Sequence, residues 1–258
     1  MALTALILDG AGSAGRTSGV VDPCVERLRW KTGCTAKWVP WAASLMGVGG
    51  SLSWPEASRR AVNSIAAQVR ATDNDIILIG YSAGCRPVRE FLEKHPEFHN
   101  RIAAVALMAD AWQPASRQQY GVPNPSGHGI MGSDFGPLRD RTYWVAAPGD
   151  PIPRCARDSL LRYLPAVADA VPGQMLATFV DKAHRGRLQL IPFLGLPIHE
   201  WLFGLGPRIE RSIREAEGYL TTGRHTRGYT EPFDSGDGDR RPLAHRLADS
   251  VAWKVRNQ

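Results

Sequence analysis

The sequence predicts an α/β fold, a mostly parallel sheet with helices on both faces, and three observations carry the prediction. Short apolar runs recur at 3–8, 76–80, 102–108 and 142–147, without the polar alternation of a half-solvated strand. Between them lie stretches with apolar residues at helical spacing, such as Val62, Ile65, Ala66 and Val69. Strands that alternate with helices pair in parallel and are covered on both sides. Third, the run at 76–80 leads into Gly80-Tyr81-Ser82-Ala83-Gly84, a Gly-x-Ser-x-Gly turn between strand and helix. A chain of 258 residues can bury one sizeable core, so a single domain over 1–258 is expected, its sheet drawn mainly from residues 1–150.

In chain order, Leu3 to Leu8 is a buried strand that runs into the glycine-rich loop 9–15. That loop could cradle phosphate, but it lacks the lysine of a phosphate-binding loop and no clear helix follows Gly15. Residues 35–39 read as a second strand, ended by Pro40 and Trp41. Ser53-Trp54-Pro55-Glu56 has the pattern of a helix start, with serine capping and glutamate three residues on. After the 76–80 strand, Val88 to Leu92 continues as a helix, in which Pro87 is a conflict unless the helix starts late. The stretch 110–141 is a long loop rich in Gly, Pro and Ser, of a length that usually serves a site. Residues 158–170 look helical and 175–180 strand-like. The apolar run 191–205 is too broken by Pro and Gly for one helix, and two readings stand: packing of the second half, or a cap at 184–220 over the site. Ile209, Ile213, Ala216 and Leu220 suggest a helix, 223–238 a loop, and Pro242 opens a closing helix.

The serine turn carries the chemistry. In an α/β hydrolase such a turn is the nucleophile elbow, and Ser82 would sit at its strained tip with the glycines leaving room for tight packing. An oxyanion would be held by the backbone N–H of Ala83 and by one from the first loop, at Ala11 or Gly12; this use of the loop is favoured because Ser82 supplies the chemistry it serves. A serine hydroxyl needs a base, and the base needs an acid to hold its tautomer. Asp150, directly after the 142–147 strand, is favoured as the acid, with Asp110 the alternative at the preceding strand end. Seven histidines compete for the base. His95, His99 and His128 precede the acid and break the order Ser, Asp, His; His184 and His199 flank the apolar run; His245 falls inside the closing helix. His225, in a loop between helices, fits best. Tyr81, Phe193, Leu194, Trp201 and Phe203 are the candidate substrate contacts, and neither a metal nor a cofactor is expected.

Together Gly10-Ala11-Gly12, the Gly80–Gly84 elbow, Val145-Ala146-Ala147-Pro148-Gly149-Asp150-Pro151 and a late His225-x-x-x-Tyr229 resemble the cutinase-like serine esterases. Among these the chain is most similar to the lysin B enzymes of phages that infect mycobacteria. Ala11 stands where relatives often carry threonine, and Ala83 where many lysins B carry glutamine; neither change alters a backbone N–H. The resemblance implies hydrolysis of the ester between mycolic acids and arabinogalactan during lysis of the host. Two rivals share the frame: a general carboxylesterase of small or lipid esters, and a non-catalytic binding protein.

Net charge is +6, mostly from arginine, which suits attraction to anionic surfaces. Without a dense basic block or a base-reading motif, nucleic acid is not an expected partner. No stretch approaches a membrane span, and the first ten residues lack a basic leader, so synthesis in the host cytoplasm and action on the cell envelope after release are expected. The expected partner is a lipid ester in the cell envelope, met by a monomer. Cys24, Cys34, Cys85 and Cys155 lack zinc-ligand spacing; Cys85 reads as a buried free thiol, and a Cys24–Cys34 bridge stays open.

Overall fold

Each apolar run becomes a strand buried on both sides. In the computed structural model, which describes residues 2–13, 15–45, 48–117, 127–163, 211–212, 214–215, 222–236 and 238–257, the elements follow in order. They are β1 (Leu3–Leu8), α1 (Asp22–Thr32), β2 (Thr35–Trp38), α2 (Trp54–Arg70), β3 (Asp75–Tyr81), α3 (Cys85–Lys94), β4 (Ile102–Met108), β5 (Thr142–Val145), α4 (Arg227–Thr230) and α5 (Leu243–Arg256). The strands form one sheet in the order β2-β1-β3-β4-β5, with every neighbouring pair parallel. The chain steps outward from β1 to β2, then returns to β3 and continues the other way. Ligand crevices in open α/β sheets form where the order reverses, here at the C-terminal ends of β1 and β3. Leu8 lies in register with Gly80, so the loop after β1 emerges beside the serine turn.

Period-two geometry sends alternate strand residues into two separate cores. Ala5, Ile7, Ile77 and Ile79 face α1 and α5, against Leu28, Leu247 and Val251. Leu6, Leu8, Ile76 and Leu78 face α2 and α3, against Ile65, Val69, Val88 and Phe91. Each such side chain contributes roughly 1.5 to 3 kcal/mol by its burial, so the sheet is anchored from both faces. At α2 the Ser53 hydroxyl accepts the Glu56 N–H at 3.4 Å, as the spacing predicts.

The structure adds three things to the sequence reading. Helix α1 was not anticipated: only Cys24, Val25 and Leu28 of its residues are buried, and the charged remainder hides that narrow contact with α5. The loop expected over 223–238 contains the single turn α4. Pro87 is accommodated because a 3₁₀ turn over Ser82–Gly84 delays α3 to Cys85, which puts the proline in its first turn. Of the 158–170 segment the described part is a 3₁₀ turn at Leu160–Tyr163; the expected strand at 175–180 and the apolar run at 191–205 lie outside the described residues. All four cysteines are buried free thiols, which answers the Cys24–Cys34 alternative. No helix among the described residues is long and apolar enough to cross a membrane.

Candidate active site

The turn after β3 is built by close approach. A Cβ on Gly84 would lie 2.4 Å from the Leu8 carbonyl oxygen and 2.6 Å from that of Asp9, so only glycine lets the start of α3 settle against the end of β1. A Cβ on Gly80 would meet Cys85 Cα at 3.0 Å. Ser82 between them has φ 53°, a left-handed conformation that costs a non-glycine residue of order 1 to 3 kcal/mol. That conformation places the half-buried side chain at the C-terminal edge of the sheet.

Two loops bring partners to that edge. After β5 the chain turns through Gly149, at φ 83°, with the Asp150 N–H donating to the Ala147 carbonyl at 3.0 Å. The loop before α4 turns at Gly223, where Thr226 N–H donates to the Gly223 carbonyl at 3.0 Å. α4 can press on the end of β5 because residue 228 is glycine: a Cβ there would lie 2.8 Å from that of Ala147. The outcome is a hydrogen-bonded series from three distant parts of the chain. His225 Nε2 lies 2.7 Å from Ser82 Oγ, and His225 Nδ1 lies 2.9 Å from Asp150 Oδ2. With Asp150 Oδ2 accepting from Nδ1, the neutral imidazole offers Nε2 as the acceptor for the serine O–H.

Buried groups hold the series in place. Asp150 is 1% exposed, and its Oδ1 accepts the Ile152 N–H at 3.0 Å. Its Oδ2 also accepts the Tyr229 hydroxyl at 2.7 Å. Tyr229 has no exposed surface, and burial, then the neighbouring Asp150 charge, pushes its phenol well above the usual value, which keeps it a donor. Tyr81 donates its hydroxyl to the His225 carbonyl and stacks on the imidazole at 5.3 Å. It is 5% exposed and packed in the α5-side core. Although expected to contact substrate, Tyr81 supports His225 from behind, because it follows Ile77 and Ile79 on the face of β3 that packs into the α5-side core.

The first loop lies beside the serine: a Cβ on Gly10 would sit 3.4 Å from Ser82 Cβ. Gly12 N–H donates to the Ala43 carbonyl at 2.9 Å and is engaged there. The N–H groups of Ala11 and Ala83 have no acceptor among the described residues. Around Ala83, partly buried Leu45, Trp112, Ile130, Met131 and Ile152 form an apolar surface with Trp54 that the sequence did not single out. Phe193, Leu194, Trp201 and Phe203 lie outside the described residues, as do His184 and His199.

The rival groups have other partners. Asp110 accepts from Arg89 at 2.9 Å, the Trp144 indole at 3.0 Å and the Trp112 N–H at 3.1 Å. Burial pushes its carboxyl up from the ordinary range, opposed by the Arg89 guanidinium. His95 bonds Glu97, His99 the Leu92 carbonyl and His128 the Gly129 carbonyl. His245 sits in α5 near Arg27 and Arg241; burial first, then those charges, lower its pKa.

No family model and no curated protein matches the chain. Among solved structures, lysin B from Mycobacteriophage D29 superposes with TM-score 0.57 at 13% identity, covering 100% of this chain and 99% of that one. The fold, a parallel sheet with helices on both faces, is shared with that protein. A cutinase-like protein from Cryptococcus sp. covers 87% of this chain and 94% of its own, at 13% identity and TM-score 0.47. An acetylxylan esterase covers 69% of this chain and 93% of its own, at 16% identity and TM-score 0.47. In an α/β hydrolase the C-terminal edge of the sheet carries the reacting groups, and Ser82, Asp150 and His225 all lie there.

Proposed function

We propose that this protein is a serine esterase that hydrolyses lipid esters, with Ser82 as nucleophile, His225 as general base and Asp150 as its acid. One observation carries the reading: a strained Ser82 whose Oγ lies 2.7 Å from an imidazole nitrogen, the other nitrogen 2.9 Å from a buried carboxylate. In the first half-reaction Ser82 Oγ attacks the ester carbonyl as its proton passes to His225 Nε2. The oxyanion that forms is held by the Ala11 and Ala83 N–H groups. Collapse breaks the bond to the alkoxy oxygen, which leaves with the proton from His225, and an acyl group remains on Ser82. Water then attacks the acyl carbonyl with His225 again as base, releasing the acid. Asp150 orients the imidazole and stabilises its charged form, and Tyr229 and Ile152 N–H hold Asp150.

The substrate proposed is the mycolyl-arabinogalactan ester of a mycobacteria-like host, cleaved in phage-induced lysis by a monomer made in the host cytoplasm and released to the envelope. Support comes from the motif resemblance to lysin B and the shared fold over the whole length. In this proposal the 184–220 segment caps the site, and Phe193, Leu194, Trp201 and Phe203 contact the acyl chain. Purified mycolyl-arabinogalactan assayed beside p-nitrophenyl esters of increasing chain length tests it. Release of mycolic acid is the expected result; turnover of the synthetic esters alone would leave a general carboxylesterase. Ser82→Ala should lose activity by on the order of 10⁶-fold and no longer react with a fluorophosphonate. Retained turnover in that variant would remove the nucleophile assignment.

A further inference from the structure

Pro87 stops α3 from extending back through the 3₁₀ turn that precedes it. In a continuous helix the Ala83 carbonyl would accept the N–H four residues on, but residue 87 is proline and has none. A proline ring also crowds the carbonyl four residues before it, turning that oxygen away from the axis. Another element supplies the donor: Trp54 Nε1–H donates to the Ala83 carbonyl at 3.2 Å. Trp54 is the first residue of α2, 5% exposed, and its ring is held from two sides. The Arg86 guanidinium lies 4.8 Å from its centroid and is itself tied to Glu90 at 2.7 Å, while Trp112 packs at 5.7 Å. The carbonyl so held belongs to the residue after Ser82, whose N–H is the proposed oxyanion donor. Because Ser82 is in a strained conformation, local preference does not hold this turn, and an outside contact must.

We propose that Trp54 is a positioning residue for the oxyanion donor. Its indole N–H replaces the amide that Pro87 removes, fixes the Ser82–Gly84 turn, and aims the Ala83 N–H at the developing charge. This rests on the esterase reading above. Loss of a whole oxyanion donor costs about 100- to 1,000-fold in rate, so loosening one should cost about 10- to 100-fold. The loss should fall on kcat, because the oxyanion exists only in the transition state.

The test is Trp54→Phe, which keeps an aromatic ring and removes the N–H, assayed on p-nitrophenyl butyrate with rates normalised to phosphonate-titrated Ser82. The expected result is a kcat about 10- to 100-fold lower with KM within about twofold of wild type, and an equal loss of affinity for an alkyl boronic acid that mimics the tetrahedral state. Adding Pro87→Ala gives residue 87 an N–H for the Ala83 carbonyl. It should return kcat to within about threefold of the Pro87→Ala single variant, a rescue that a purely packing role for the indole does not provide. Wild-type kcat in Trp54→Phe, or no rescue in the double variant, overturns the inference. The wild-type protein gives a reading that does not depend on folding of the variants. One indole N–H resonance among eight tryptophans should be protected from exchange and shift when Ser82 is phosphonylated; the absence of such a resonance also overturns it. Activity surviving Ser82→Ala would sink the esterase reading, whereas an inactive Ser82→Ala beside an unaffected Trp54→Phe sinks only this one.

Discussion

Replacing Tyr229 by phenylalanine removes one hydroxyl that donates to Asp150. Asp150 Oδ2 accepts from Tyr229 at 2.7 Å and from His225 at 2.9 Å, while Oδ1 accepts from Ile152 at 3.0 Å. Phenylalanine keeps the ring edge-on to Tyr81, at 6.1 Å and 71°, so the change is confined to the lost donor. Hydrogen bonds to charged groups are worth about 1.5 to 3 kcal/mol, and Asp150 is buried at 1% exposure. At roughly 2 to 4 °C per kcal/mol for a domain of this size, Tm should fall by about 3 to 12 °C. The rate should fall by less than about tenfold, since the serine–histidine contact stays. Turnover of a short-chain ester per titrated site, with a melting curve beside it, measures both. An unchanged Tm would refute the role given to Tyr229; a collapse of more than 100-fold would show that the hydroxyl acts elsewhere.

The other expectations concern the frame. Gly84→Ala drives a methyl to 2.4 Å from the Leu8 carbonyl oxygen, and overpacking of that kind costs about 1 to 3 kcal/mol or more, visible as a lower urea midpoint. Asp110→Ala removes the buried partner of Arg89, which keeps Asp134 at 2.6 Å, and should destabilise by about 1 to 3 kcal/mol while costing less than about tenfold in rate per titrated site. Asp150→Asn should instead lose about 10⁴-fold in kcat, so the pair of variants separates the two acids by experiment. Burial pushes the Cys24 thiol up to about 12 and Cys155 up to about 11, so a thiol reagent at pH 8 should leave the folded protein unmodified and titrate four thiols once it is denatured.

What the sequence determined by itself is what local pattern encodes. β1, β3 and β4 were legible because strands buried on both faces are continuous apolar runs, and α2 because Ser53 and Glu56 stand at capping spacing. The serine turn was legible as a short motif, although the contact that requires Gly84 is a tertiary one, with Leu8 and Asp9 at the end of β1. Helix α1 was not, because its apolar stripe is only as wide as the strip of α5 it covers. Chain order favoured Asp150 and His225, but order is one-dimensional and carries no distances. The tertiary structure set Asp110 against Arg89 and Trp144, and brought His225 to Ser82 across 143 positions of sequence. It also turned Tyr81 inward and gave the orphaned Ala83 carbonyl to Trp54, 29 positions earlier. Such partnerships lie beyond sequence because a hydrogen bond depends on where two atoms end up, and only the packing of the whole chain decides that.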